Sequence, residues 1–141
     1  NTIRFDGHDQ MPRLGRYLFA AWLTPNQLEF TDTKVTSAYQ DVWQVQHQRT
    51  LEAIGNSWRI QDIFSGFNQE ALLVWRLAPG QWNLDGQHLM SEIAIIEIQG
   101  EVTLELTEAP ESHYYLSQTM IPVLYVKCVG STVTTQINFK S

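Results

Sequence analysis

The sequence predicts an all-β fold, an antiparallel β-sandwich of roughly ten to twelve strands with little or no helix. Short runs rich in Val, Ile, Thr, Tyr, Phe and Trp alternate with polar residues, and Gly, Pro, Asn and Asp separate them at regular spacing. No window of a dozen residues repeats apolar residues with the spacing of an amphipathic helix. Many short strands in this arrangement are typical of two packed antiparallel sheets rather than of alternating strands and helices.

The predicted strands show the alternation of apolar and polar residues that a half-buried strand requires. It is cleanest near the C-terminus, where Val102, Leu104 and Leu106 alternate with two threonines and a glutamate. In chain order the predicted strands are residues 2–5, 17–23, 27–39, 43–51, 57–64, 70–77, 91–98, 102–107 and 133–139.

Short breaks that contain glycine separate these strands and define the expected turns. The breaks at residues 99–100 (Gln-Gly) and 129–131 (Val-Gly-Ser) are so short that we expect a hairpin at each. The run Asp-Gly-His-Asp at residues 6–9 predicts a tight turn in which the aspartate side chains bond their own backbone.

Composition and charge limit the classes of protein to which the chain can belong. Its 141 residues, 43% hydrophobic and 17% charged, suit one folded domain, so we expect residues 1–141 to form a single β-sandwich. A net charge of -6 without any Lys/Arg cluster argues against nucleic acid as a partner. The longest apolar runs are too short to span a membrane. The single cysteine, Cys128, lies among apolar residues and is expected to be buried.

His47 and Arg49 are the first candidates for a functional site. They share one face of the predicted strand 43–51 with Trp43, and that face is expected to be the buried one. An arginine is seldom buried without a partner. We therefore expect Arg49 either to reach a polar interface or to pair with a carboxylate such as Asp62 or Glu70, and a structural pair, a domain interface and a ligand site all stay open.

Trp82 is the candidate for an exposed aromatic residue. The chain contains five tryptophans, which could in principle stack on sugar rings. Trp58 and Trp75 stand beside aliphatic residues in strand patterns, so core packing is the better interpretation for both. Trp82 lies next to Gly80 and close to a second glycine break, and we expect it to be exposed.

The residues predict no catalytic and no metal-binding group in this chain. There is no Gly-x-Ser-x-Gly sequence, no phosphate-binding glycine loop and no Cys/His pair. The four histidines are spread along the chain without the close spacing of a zinc site. Tyr114 and Tyr115 could supply a phenolic acid or base, but we interpret them as packing residues.

Three segments carry a resemblance to a known family. Residues 1–10, NTIRFDGHDQ, contain the run Asp-Gly-x-Asp-Gln, residues 47–50 and 58–62 contain His-x-Arg-Thr and Trp-x-Ile-x-Asp, and residues 75–79 contain Leu-Ala-Pro. Together with the closing strands near residues 112–124 and 134–137, these segments resemble the heparinase II/III-like polysaccharide lyases, in the same order and over most of the chain.

The resemblance implies a C-terminal β-sandwich that packs on an N-terminal (α/α)-toroid domain of the same polypeptide. A polysaccharide cleft between the two domains would cleave glycans that contain uronic acid by β-elimination. The family's His-x-His motif and a zinc-binding histidine directly before its Asn-Thr pair would lie upstream of Asn1. We therefore expect a fragment of a longer protein, with no cofactor in this chain and zinc in the parent protein.

The leading hypothesis is an accessory domain of a bacterial polysaccharide lyase, periplasmic or secreted, that degrades a glycosaminoglycan or alginate and is inactive when isolated. The alternative is a stand-alone carbohydrate-binding β-sandwich that uses Trp82. The residues assigned to a substrate or domain interface are Asp6, Asp9, Gln10, His47, Arg49 and Trp82.

Overall fold

A computed structural model describes residues 2–15, 18–112, 114 and 117–140. These ranges contain strands and no helix, so the described part of the chain offers no helix that could cross a membrane. In chain order the strands are β1 (Thr2–Phe5), β2 (Thr24–Phe30), β3 (Lys34–Gln40), β4 (Gln46–Ile54), β5 (Ser57–Ser65), β6 (Ala71–Arg76), β7 (Asn83–Asp85), β8 (His88–Met90), β9 (Ala94–Gln99), β10 (Val102–Glu111), β11 (Thr119–Cys128) and β12 (Thr132–Phe139).

The strands form two antiparallel sheets of unequal size, which confirms the predicted β-sandwich. The smaller sheet has four strands in the order β1-β6-β11-β10. The larger sheet has eight strands in the order β2-β3-β4-β5-β12-β9-β8-β7. The larger sheet therefore has strands that the smaller sheet does not cover.

The hydrophobic core lies between the two sheets, where every second residue of the facing strands is buried. In β6 the buried side chains are Ala71, Leu73 and Trp75, and β11 contributes Leu124, Val126 and Cys128 from the neighbouring strand. Ile60, Ile98 and Val133 face them from the larger sheet. The predicted burial of Cys128 is confirmed.

The two predicted hairpins at residues 99–100 and 129–131 are wrong, because each break carries the chain from one sheet to the other. β9 belongs to the larger sheet and β10 to the smaller one, while β11 and β12 make the return crossing. The crossings lie side by side, since the Val129 N–H donates to the Glu101 carbonyl at 2.9 Å. Gly100 has a φ of 143°, and a Cβ there would lie 3.1 Å from the Thr132 carbonyl oxygen. Both features favour glycine at the crossing.

Two predicted strands also need correction. Residue 17 lies outside the described residues, and residues 18–23 form no strand but only an isolated bridge between Arg13 and Phe19. The long strand predicted at residues 27–39 is a hairpin of β2 and β3, because the Thr31 N–H donates to the Lys34 carbonyl at 2.8 Å and closes a turn there.

The strand predicted from Trp43 begins only at Gln46. The Asp41 carboxylate accepts hydrogen bonds from the backbone N–H groups of Trp43 and Val45, both at 2.9 Å, and so holds residues 41–45 in a turn. Gln44 has a φ of 68°, which is incompatible with a strand. Trp43 consequently lies outside the buried strand face and is 38% exposed.

Candidate functional site

The uncovered part of the larger sheet forms a cavity at one side of the sandwich. β1 is the last strand of the smaller sheet, and beyond it the inner faces of β3 and β4 are open. The resulting side cavity has a volume of about 450 Å³. Its polar lining consists of Thr2, Gln10, Ser37, Tyr39, His47 and Arg49, and its apolar lining of Ile3, Val35 and Leu51.

His47, Arg49 and Asp62 form a buried cluster at this cavity. Asp62 is fully buried on β5 and lies directly opposite Arg49 of β4, so the register of the two strands creates the pair. The Asp62 Oδ1 lies 2.6 Å from the His47 Nε2 and 2.7 Å from the Arg49 Nε, and the Arg49 Nη2 donates to Oδ2 at 3.2 Å. The expected pairing of Arg49 with a carboxylate is thus confirmed for Asp62, one of the two candidates.

The cluster holds a carboxylate charge inside the protein. Burial raises the pKa of Asp62, but hydrogen bonds from His47 and Arg49 and the guanidinium charge outweigh burial and hold that pKa below 3.8. The Arg49 guanidinium also stacks over the Trp75 ring, 5.3 Å from its centroid. The His47 Nδ1 is buried without a hydrogen-bond partner, which favours the tautomer that carries its proton on Nε2 and donates it to Asp62. One carboxylate charge is therefore balanced by one guanidinium charge.

Gln10 joins the edge of the smaller sheet to the larger sheet beside this cluster. Its Nε2 donates to the Ile3 carbonyl at 3.3 Å and to the Tyr39 hydroxyl at 2.9 Å. The Tyr39 ring packs edge-on against His47, with the ring centroids 5.2 Å apart. Burial raises the pKa of Tyr39 to about 12. Sequence reasoning missed Tyr39 and Ser37, because their place at the cavity follows from the pairing of β3 with β4.

Asp6 and Asp9 occupy a tight turn next to β1, as predicted, but Asp6 does not bond its own backbone. Asp6 has a φ of 52°, and its carboxylate accepts the backbone N–H groups of residues 68, 69 and 70 at 2.9, 2.7 and 3.0 Å. These bonds, led by the one from Asn68, hold the pKa of Asp6 below 3.8. Asp9 is exposed, and its carboxylate lies 3.7 Å from Arg4 and 3.9 Å from Arg13. Asp6 therefore ties two segments of this chain together, whereas Asp9 stays at the surface.

Trp82 does not line the side cavity but lies between β6 and β7. It is half-buried and packs against the core, and its indole N–H donates to the Ala78 carbonyl at 3.0 Å, so the predicted exposure is wrong. Trp58, predicted to be in the core, is 44% exposed because it stands at the start of β5, edge-on to Phe139. Trp75 is buried as predicted. These aromatic residues line an apolar end cleft of about 340 Å³.

The structure brings Gln10, His47 and Arg49 together at the side cavity, and Arg49 also lines the end cleft with Trp82. Among the described residues, no three His, Cys, Asp or Glu side chains stand close enough to hold a metal ion. Tyr114 is 79% exposed, so it does not pack as predicted, and Tyr115 lies outside the described residues. The lining of the side cavity therefore presents hydroxyl, amide and guanidinium groups. The charge of the guanidinium is balanced by Asp62.

This twelve-stranded sandwich with its charged cluster belongs to a known class of domain. A model of the family "Heparinase II/III-like, C-terminal" matches residues 1–131. The chain therefore belongs to the heparinase II/III-like family, in its C-terminal domain. No curated protein matches the sequence.

Solved structures share the fold at low sequence identity. A heparinase III superposes with a TM-score of 0.76 and 11% identity, over 99% of this chain and 24% of that protein. The heparan sulfate lyase HepC from Pedobacter heparinus superposes with a TM-score of 0.70 and 14% identity, again over 99% of this chain and 24% of that protein. The chain thus spans about a quarter of the length of the solved structures that it matches.

Proposed function

We propose that this chain is the accessory C-terminal β-sandwich of a heparinase II/III-like polysaccharide lyase and has no lyase activity of its own. The observation that carries the proposal is the family match over residues 1–131. The superposition of nearly the whole chain on a quarter of a heparinase III supports it, because it leaves most of such an enzyme outside this fold. In this proposal the partner is an N-terminal (α/α)-toroid domain of the same polypeptide, and the substrate is a polysaccharide.

The geometry of the cluster argues against catalysis by this domain alone. β-Elimination requires a base that removes the proton next to a carboxylate and a group that neutralises that carboxylate. His47 is buried, and its Nε2 is engaged by Asp62. Tyr39, with its pKa raised to about 12, is a poor base near neutral pH. The Arg49 charge is already balanced by Asp62.

The zinc that the family resemblance implies does not fit the described residues of this chain. No three potential ligand side chains stand together in residues 2–15, 18–112, 114 and 117–140. We therefore assign any zinc to the parent protein and derive no step from it. The same proposal places the parent lyase in the periplasm or outside a bacterial cell, acting on a glycosaminoglycan or alginate.

The test compares the isolated chain with the full-length parent protein. Both are incubated with heparin, heparan sulfate and alginate, and the ultraviolet absorbance of the unsaturated uronate product is followed. We expect product from the full-length protein and none from the isolated chain. Product from the isolated chain would overturn its assignment as an accessory domain, and a parent protein that cleaves none of these glycans, nor any other that contains uronate, would overturn the assignment to a lyase.

The alternative, a stand-alone carbohydrate-binding module that stacks sugars on Trp82, has less support. Trp82 is half-buried, and its indole N–H is used inside the chain, so its ring is not a free platform. If Trp82→Ala abolished glycan binding by the isolated chain without unfolding it, this alternative would replace the proposal above.

A further inference from the structure

We propose that the side cavity between β1, β3 and β4 is a subsite for a neutral pyranose ring. The inference rests on the proposed function for the class of polymer, a polysaccharide, and on the cavity itself for the kind of sugar residue. The volume of about 450 Å³ lies within the range of small-molecule sites.

The lining has the two kinds of surface that a sugar ring needs. A pyranose presents C–H groups on its faces and hydroxyl groups around its rim. Ile3, Val35 and Leu51 provide an apolar wall, while the Ser37 and Tyr39 hydroxyls provide hydrogen-bonding groups. A mostly apolar pocket with a few fixed polar groups is the usual construction of a small-molecule site.

The polar groups are held in place before any ligand arrives. Tyr39 is fixed by the bond from Gln10 and by its edge-on contact with His47. His47 is fixed in turn by Asp62, at 2.6 Å. Groups that are ordered in the free protein lose less conformational entropy on binding, so the cavity is preorganised.

The charge balance selects a neutral ring over an anionic one. The guanidinium of Arg49, which lines the cavity, is bound at two points by the fully buried Asp62. The Arg49 charge is therefore offset before a carboxylate or sulfate group arrives, and the chain as a whole is negative. The ring that enters is the uncharged residue of a glycan, such as an N-acetylhexosamine, rather than a uronate.

The test measures binding to the isolated chain by amide NMR titration with two disaccharides, one of N-acetylglucosamine and one of glucuronate. We expect the neutral sugar to shift amide signals of β1, β3 and β4 and the anionic sugar to bind more weakly. Ser37→Leu fills the cavity at an exposed position and should weaken neutral binding at least about tenfold. Ser65→Leu is the matched control, because Ser65 is exposed and does not line the side cavity.

Three results would overturn the proposal: no binding of the neutral sugar, equal binding by Ser37→Leu and the wild type, or glucuronate binding that is as tight as that of the neutral sugar or tighter. Urea unfolding of both variants shows whether the fold is kept, and Tyr39→Phe, which removes only a hydroxyl, gives a second measurement if Ser37→Leu fails to fold. If the parent protein is an active lyase but the isolated domain binds no sugar, only this inference is contradicted. If the domain binds sugar but the parent protein cleaves no glycan, only the proposed function is contradicted.

Discussion

Asp62 is the residue on which the candidate site depends. It is fully buried and accepts hydrogen bonds from both His47 and Arg49. Replacing it by asparagine would leave the Arg49 guanidinium without its counter-charge. Because the Arg49 side chain is 24% exposed, we expect Asp62→Asn to lower the free energy of unfolding by about 3 kcal/mol, the lower end for a broken buried pair. Urea unfolding at neutral pH measures this change.

Asp9→Asn is the matched control for that measurement. The Asp9 carboxylate is exposed and stands 3.7 Å or more from its two arginine partners. Exposed ion pairs of this kind contribute little to stability, so we expect Asp9→Asn to change the free energy of unfolding by less than about 0.5 kcal/mol. Equal effects of the two substitutions would show that the buried cluster contributes no more than a surface carboxylate.

Asp6 is expected to make the fold sensitive to acid. Backbone N–H groups of residues 68–70 hold the pKa of Asp6 below its unfolded value of 3.8. A carboxylate with a lowered pKa contributes stability above the unfolded pKa, and this contribution is lost as the pH falls through the folded pKa. The free energy of unfolding should therefore fall below about pH 4, and Asp6→Asn should make that fall smaller. Urea unfolding at neutral and acid pH tests this, and an unchanged pH dependence in Asp6→Asn would contradict it.

The sequence predicts the surroundings of a single residue well where the alternation of apolar and polar residues shows that it is buried and its charge shows which partner it needs. Arg49 on a buried strand face requires an acidic partner, and Asp62 was one of two carboxylates proposed for it. The bonds from Gln10 to Tyr39 and from Asp6 to residues 68–70 could not be predicted. They join positions far apart in the chain, and only the paired strands bring these positions together.

Among the strands, the errors occur where a local pattern fits two different connections. A short break with glycine looks the same in a hairpin and in a crossing between sheets, so the breaks at residues 99–100 and 129–131 were assigned to the wrong kind of connection. Which strand becomes the neighbour is decided by long-range pairing. The turn between β2 and β3 was missed because its threonine-rich residues continue the strand pattern.

The loop between β5 and β6 depends on Gly66. Its φ is 88°, and a Cβ there would stand 2.9 Å from the Gln44 carbonyl oxygen in the turn before β4. Gly55 has a φ of 57° but has no atom within 4 Å of a built Cβ. Gly55→Ala should lower the free energy of unfolding by about 1 kcal/mol, from backbone strain alone. Gly66→Ala should lower it by at least about 1 kcal/mol more, because the backbones of residues 66 and 44 must also move apart. Thermal or urea unfolding of both variants checks the difference, and equal losses would show that the close approach is relieved without cost.

For the whole molecule, the period-two alternation identified the fold class but not the sizes of the sheets. An apolar face predicts that a strand is covered, yet it does not tell which strands of the opposite sheet cover it. The eight-stranded sheet extends beyond the four-stranded one, and the side cavity is the result. The site could therefore be predicted as a set of residues such as His47 and Arg49, but not as a cavity.

Cys128 reports on the unfolding of the entire sandwich. It is the single cysteine of the chain and is buried in the core, where burial raises its pKa to about 11. A thiol reagent at neutral pH should react with it only in molecules that have unfolded, because the thiolate is both scarce and inaccessible in the native state. Below the urea midpoint, the reaction rate should then be proportional to the unfolded fraction. Gly66→Ala, which changes no charge, should raise that rate by the same factor as it raises the unfolding equilibrium constant, and Asp9→Asn should leave it unchanged. A rate that is high in native buffer and equal in all three proteins would show that β11 opens locally, without unfolding of the sandwich.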